Sequence, residues 1–261
     1  MNTLQLEKEP STIKFNPYSR MIDDLCNTIS RDDFLFIDGL DVMTLLKQQN
    51  PKALTDQDAF IKSWSELGQD HYMADGGTYR FRRHATFSAQ AGADTFHIEP
   101  HQPHYQTLHY NPLNGGIARH FLPIAEDILR GATLGSLIQL GCDLFSSLAP
   151  YNNWHIEVHQ FRISPQEDGV GKPTPEGVHR DGVSYVMMLM VNRENIVDGQ
   201  TTIYDLNKTP VSGFTLSRPF DLAIVNDEHV FHGVTPIQKQ DAAHPANRDV
   251  LVVTFKRRTH A

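Results

Sequence analysis

Residues 177–191 read Gly-Val-His-Arg-Asp-Gly-Val-Ser-Tyr-Val-Met-Met-Leu-Met-Val, two short extended runs with a glycine between them. They belong to a series. From Trp154 onward helical spacing vanishes, and short runs follow one another with turn signals between: Trp154–Ile163, Gly177–Asp181, Ser184–Val191, Thr201–Tyr204, Gly213–Leu216, Leu222–Val225, His229–Val234 and Asp249–Lys256. Eight short strands at this spacing predict an all-β sandwich or barrel, and eight is the strand count of a jelly roll. The aliphatic run Val186–Met190 is then its core, with methionine as compliant filler that can also touch a ligand.

Before Pro150 the texture is helical. Met21, Leu25 and Ile29 recur at four-residue spacing after Asn16-Pro17, and Val42, Leu45 and Leu46 form a second apolar face. Thr55 is placed to cap a third helix through Phe60, Trp64 and Leu67 to Gly68. Thr78–Phe87 reads as strand, and Arg119–Arg130 and Leu134–Leu148 read as two helices divided by Gly131. The expected fold class is α+β, a C-terminal double-stranded β-helix (jelly roll) buttressed by N-terminal helices. With no linker near Pro150, residues 1–261 are expected to form one domain, about 1–150 as support and substrate-side segments and about 151–258 as the jelly roll with the metal site.

Composition removes several classes. Against 23 Lys and Arg stand 31 Asp and Glu, a net charge of −8 without basic runs, which argues against nucleic acid or an anionic membrane as partner. Cys26 and Cys142 are too few for a disulfide framework or a cysteine-ligated metal. Met1–Pro17 lacks the continuous apolar segment of a secretory signal, and the run Val183–Val191 is about half the length of a spanning helix. A cytoplasmic protein acting on a small molecule is expected; oligomeric state has no signature here. The fourteen histidines are the unusual feature.

In a strand His179 and Asp181 point to one face and Arg180 to the other, so imidazole and carboxylate can pinch one divalent metal. Gly182 allows a sharp turn beside them. His232, fifty-three residues on, can return beside the pair; on residues alone His229 competes with it. Two histidines and one carboxylate leave three positions open, the facial triad of non-haem Fe(II) oxygenases, with room for a bidentate co-substrate and dioxygen. Arg248, sixteen residues past His232, suits the far carboxylate of a chelating 2-oxo acid, the plainer reading being a surface arginine. The string His-Arg-Asp lacks every other part of a kinase.

With these motifs the chain resembles the Fe(II)/2-oxoglutarate-dependent dioxygenases. The wording VHRDG (178–182), GQTTIYD (199–205), HVFHGVTPI (229–237) and RDVLVVTFKRR (248–258) is similar to the bacterial free amino acid hydroxylases of the L-isoleucine 4-hydroxylase branch. TYRFRRH (78–84), HYQTLHYNPLNGGIARHF (104–121) and VHQFRI (158–163) match it too. The resemblance implies that His179, Asp181 and His232 hold Fe(II) and that Arg248 holds 2-oxoglutarate. It also implies hydroxylation, with O2, of an unactivated C–H of a free aliphatic L-amino acid (isoleucine, leucine or methionine-like), 2-oxoglutarate going to succinate and CO2. The same chemistry on a peptide or carrier-bound amino acid is one alternative, and a non-catalytic jelly-roll binding module another. Gln200 departs from the pattern, standing where a second glycine is expected.

An amino acid brings a carboxylate that must be paired out of water. Arg80, Arg82, Arg119 and Arg162 are the available cations, and Arg162, Gln160 and Arg119 are taken as the substrate-side residues. His97, His101, His104 and His109 surround Glu99 at spacings open to a second metal, but Pro100, Pro103 and Pro112 break any helix aligning them, so pocket lining or surface loop is preferred. In Trp154–Ile163, alternation puts His155, Glu157 and His159 on one face and Gln160 and Arg162 on the other; neither histidine is taken as a ligand.

Overall fold

An asparagine cap and a proline start the first helix: the Asn16 side chain accepts from the Tyr18 backbone N–H, and Pro17 opens α1 (Pro17–Asp32). The computed structural model describes residues 16–93, 95–166 and 169–258; apart from Asn16 and Pro17, the stretch read for a secretory signal lies outside the described residues. The chain leaves α1 through Asp33 (φ 63°) into β1 (Phe34–Ile37) and α2 (Gly39–Gln49), which buries Val42, Leu45 and Leu46. α3 (Gln57–Lys62) runs into a tighter turn, Ser63–Glu66. Thr55 does not cap it. Its hydroxyl donates to the Lys52 carbonyl, while the Asp56 carboxylate reaches across to the Thr133 N–H and hydroxyl.

Next come β2 (Gly68–Gln69), β3 (Arg80–Ala89), β4 (Phe96–Ile98), β5 (His104–Tyr105), β6 (Ala118–Arg119) and β7 (Leu122–Pro123). The helix expected over 119–130 is therefore confined to α4 (Glu126–Leu129), because Pro123 has no N–H to donate and the chain before it pairs as strand. α5 (Ala132–Leu148) follows as expected.

The C-terminal strands are β8 (Asn153–Ile163), β9 (Tyr185–Glu194), β10 (Ile196–Asp198), β11 (Thr201–Tyr204), β12 (Pro210–Phe214), β13 (Leu222–Asn226), β14 (Phe231–Val234), β15 (Ile237–Lys239) and β16 (Asn247–Arg258). Seven of the eight expected runs overlap a strand; Gly177–Asp181 instead makes one isolated bridge, His179 to His232. The larger sheet has the order β1-β13-β9-β16-β8-β3-β2, and β12-β11-β14 form a smaller one. Val186, Met188 and Val250 on the large sheet pack against Ile203 of β11 and Leu216, the two-layer core of a jelly roll. On the other face Met187, Leu189, Val253 and Phe255 meet the buried side of α5 and the N-terminal helices. A strand covered on both faces explains why 185–191 is apolar without alternation.

Gly141 sets how closely α5 can lie. A Cβ there would stand 2.5 Å from the Phe255 ring and 2.8 Å from Met187 Sδ. Gly141→Ala gains helix propensity but overpacks this contact, and we expect a net loss of about 1–2 kcal/mol. A melting temperature equal to or above wild type would show that α5 rides outward without cost.

Candidate active site

The loop before β9 turns at two glycines with φ +79°, Gly177 and Gly182, and a Cβ on Gly182 would enter the Tyr110 ring. His179 and His232 exchange backbone hydrogen bonds of 2.9 Å each way, which ties the loop to β14. Asp227, buried between β13 and β14, accepts from the backbone N–H groups of Asp181 (2.9 Å), Gly182 (2.8 Å) and Val183 (3.1 Å). One carboxylate thus fixes the loop that carries the first pair, a positioning role the sequence reading missed. Burial, then the Asp181 charge, pushes the Asp227 carboxyl up to about 7.

His179 Nε2 lies 3.7 Å from Asp181 Oδ1, and His232 Nε2 lies 3.6 Å from Asp181 Oδ2. One atom from each residue falls within 4.8 Å of the others. The ring orientation suits a metal. His179 Nδ1 is 3.0 Å from the Gly177 carbonyl, which can only accept, so Nδ1 carries a proton and Nε2 is the nitrogen turned toward Asp181. Burial works to lower the His179 pKa, but the Asp181 carboxylate raises it to about 10, so a bound metal would displace the Nε2 proton. Burial, then the neighbouring His179, lowers His232 to about 4, keeping it neutral as a ligand must be. These three donors fit a divalent iron with open positions. His229 points away, half exposed and bonded to Asp33.

A second histidine–carboxylate group has the opposite polarity. His84, His104, Glu157 and His159 converge where β3 runs beside β8. His104 Nδ1 donates to Glu157 at 2.7 Å. His159 Nδ1 faces the Arg82 guanidinium at 2.7 Å, and His155 Nδ1 faces that of Arg258 at 3.5 Å; a guanidinium only donates, so both rings carry their proton on Nε2, 3.6 Å from Glu157. These imidazole N–H groups form a donor cage on a carboxylate rather than a ligand set. Burial works to raise the Glu157 pKa, but the imidazole hydrogen bonds outweigh it and hold the carboxyl well below its usual range. Of the histidines once considered for a second metal, only His104 joins; His97, His101 and His109 are exposed.

The triad lines a cleft that opens to solvent. Aliphatic walls come from Val186, Met188, Val234, Val250 and Val252, with Arg248 among them. Arg248 is buried, forms no ion pair among the described residues, and leaves Nε without a partner. Burial, then its cross-strand neighbour Arg193, lowers it to about 10. The rest of the cleft is polar. Arg80 and Arg82 are tied to Asp70 at 2.7 and 3.7 Å, and Arg82 stacks between Phe121 and Phe161. Arg119, 2% exposed, has no carboxylate partner among the described residues and only a 3.3 Å bond to Gln106 Oε1. Gln106 Nε2 in turn donates to the Asp181 carbonyl at 3.0 Å.

Two expectations need correction. Arg162 forms a two-point ion pair with Asp249, both bonds 2.7 Å, and Gln160 bonds to Ser63; neither lines the cleft. The reason is the period-two alternation of β8, which turns Glu157, His159, Phe161 and Ile163 into the cleft and the residues between them away.

The model of the 2OG-Fe dioxygenase family matches residues 61–254. The chain belongs to that family. Members use Fe(II), 2-oxoglutarate and O2. The 3(1)-hydroxy-L-isoleucine 4-dioxygenase of Pantoea ananatis is 28% identical over 159 residues, 59% of this chain and 64% of the relative, so the match spans under two-thirds of that protein. The L-isoleucine-4-hydroxylase of Bacillus thuringiensis is 22% identical over 71% of this chain and 80% of its own length. The crystal structure of a bsmA homologue from Methylobium petroleophilum PM1 superposes with a TM-score of 0.79 at 33% identity, covering 90% of this chain and 92% of that one. The structure of IDO from Bacillus thuringiensis shares the fold, with a TM-score of 0.75 at 17% identity over 91% of this chain and all of that one. The large sheet, small sheet and supporting helices of this 2OG-Fe dioxygenase thus follow the jelly-roll plan. Among the described residues, no helix is long and apolar enough to cross a membrane.

Proposed function

We propose that this 2OG-Fe dioxygenase hydroxylates a free aliphatic L-amino acid of the isoleucine, leucine or methionine kind. The observation that carries the reading is the pair of buried arginines without carboxylate partners, Arg248 and Arg119, lining the same cleft as the triad. A buried guanidinium without an anion is costly, so each marks a place for a ligand carboxylate. Arg248 takes the far carboxylate of 2-oxoglutarate and Arg119 the α-carboxylate of the amino acid. The names of the Pantoea and Bacillus relatives, both acting on isoleucine or its hydroxylated form, support that substrate class.

His179, Asp181 and His232 would hold the iron through Nε2, one carboxylate oxygen and Nε2. When bound, the iron supplies dioxygen activation coupled to conversion of 2-oxoglutarate to succinate and CO2, and so the oxidising power for an unactivated C–H. The chain's own task is placement. Asp227 holds the His179–Asp181 loop, and Gln106 links Arg119 to the Asp181 backbone, so the substrate anchor and a metal ligand share one rigid network. A cytoplasmic setting suits Cys26 and Cys142, both free thiols.

The test is succinate release by iron-loaded protein given 2-oxoglutarate, air and a panel of free L-amino acids. Turnover should rise with one or a few aliphatic members, and Arg119→Leu should raise KM for that amino acid about 100-fold, the loss of roughly 3 kcal/mol of charge-assisted bonding. Succinate at background with every panel member would remove the free amino acid from the reading. Loss of 2-oxoglutarate binding as well would leave only a binding module.

A further inference from the structure

The cleft contains two carboxylates besides Asp181, and their hydrogen-bond accounts differ. Glu157 is enclosed by imidazole N–H groups. Glu176, on the loop before His179, has a side chain only 10% exposed, and its Oε2 is the one buried oxygen lining the cleft with no donor among the described residues. A buried acceptor left without a donor is costly, and such groups mark the place of a ligand or water. Glu176 does not belong with the metal donors: its Oε1 stands 3.5 Å from His179 Nε2, but it is not within the mutual reach of the His179, Asp181 and His232 atoms.

We propose that Glu176 receives the α-ammonium of the substrate, completing with Arg119 a site for a zwitterion. The deduction rests on the amino acid reading above and narrows it to substrates with a free, cationic α-nitrogen. The unmatched groups are complementary in sign: a buried guanidinium lacking an anion and a buried carboxylate oxygen lacking a donor belong to two residues that line one cleft. Burial, then Arg80, lowers the Arg119 pKa, while Asp70 and then Glu176 hold it up, Glu176 more than Glu157. An ammonium supplies three N–H donors and the charge to match Glu176; a hydroxyl or an acylated nitrogen supplies neither in full.

The experiment compares wild type, Glu176→Gln and Glu176→Asp, each loaded with Fe(II) and 2-oxoglutarate. It uses the preferred amino acid, its 2-hydroxy acid and its N-acetyl derivative. Calorimetric titration should show Glu176→Gln binding the amino acid about 100-fold more weakly, with iron content and 2-oxoglutarate affinity unchanged. KM should rise in step with that loss while kcat stays within about threefold, and preference for the amino acid over the 2-hydroxy acid should fall at least tenfold. Glu176→Asp should lie between. Unchanged amino acid affinity and preference in both variants would overturn the proposal while leaving the function reading intact. So would loss of iron with the preference unchanged, which would make Glu176 a positioning residue for His179. A wild type that binds no free amino acid overturns both.

Discussion

His179→Ala is expected to abolish 2-oxoglutarate turnover, by at least about 10³-fold, and to leave the fold in place. Losing a residue that merely orients a metal ligand typically costs 10–100-fold in metal affinity or activity, so losing the ligand itself costs more. The fold survives because His179 contributes to the core mainly through its backbone: the paired N–H and C=O bonds to His232 and the Asp227 bonds to Asp181, Gly182 and Val183 do not involve the imidazole. Far-ultraviolet circular dichroism and the melting profile of the apo protein should match wild type. Bound iron should drop from one equivalent to near zero after desalting. Turnover within tenfold of wild type would show that the metal sits elsewhere and would return the Glu157 cluster to consideration.

How much of this site was legible before the structure depends on the distance over which each contact acts. The two-residue spacing of His179 and Asp181 and the Gly182 turn are local patterns, and folding brings one ligand atom each of His179, Asp181 and His232 within 4.8 Å of one another. The expected mechanism of convergence, a regular strand at 177–181, was not what the chain uses. A loop held by Asp227 does the same work, and a carboxylate bonding backbone forty-odd residues away leaves no local pattern. Pro123 was a visible breaker inside the supposed helix 119–130, and honouring it would have freed Arg119 to be read as strand. For Gln160 and Arg162 the alternation of β8 places both on the face opposite Glu157 and His159, and the resemblance of VHQFRI to the family wording carries no information on which face a residue takes. Glu157 and Glu176 could not be found this way. Their character comes from partners on β3, β8 and the loops, brought together only by folding.

Arg248 is the second residue whose replacement should have a large effect. Arg248→Ala is expected to raise KM for 2-oxoglutarate by about 10²–10³-fold, corresponding to roughly 3–4 kcal/mol of charge-assisted bonding to the far carboxylate. The variant should also cease to distinguish 2-oxoglutarate from 2-oxobutyrate, which chelates through the same carboxylate and ketone but has no far carboxylate. Arg248→Lys separates charge from geometry. Lysine restores one positive charge without the planar fork, so affinity should recover only in part. Its behaviour with pH is the sharper readout. Burial, then Arg193, lowers the Arg248 guanidinium only to about 10, so wild-type affinity should stay flat from pH 6.5 to 8.5. The same burial and the same cationic neighbour act on an ammonium that starts about two or more units lower. The lysine variant should therefore lose its charge within the working range, and its 2-oxoglutarate affinity should fall as pH rises. A lysine variant with wild-type affinity and no pH dependence would mean that Arg248 is not in contact with the co-substrate. Arg193, its partner across the β9–β16 pair, would then be the cation to replace next.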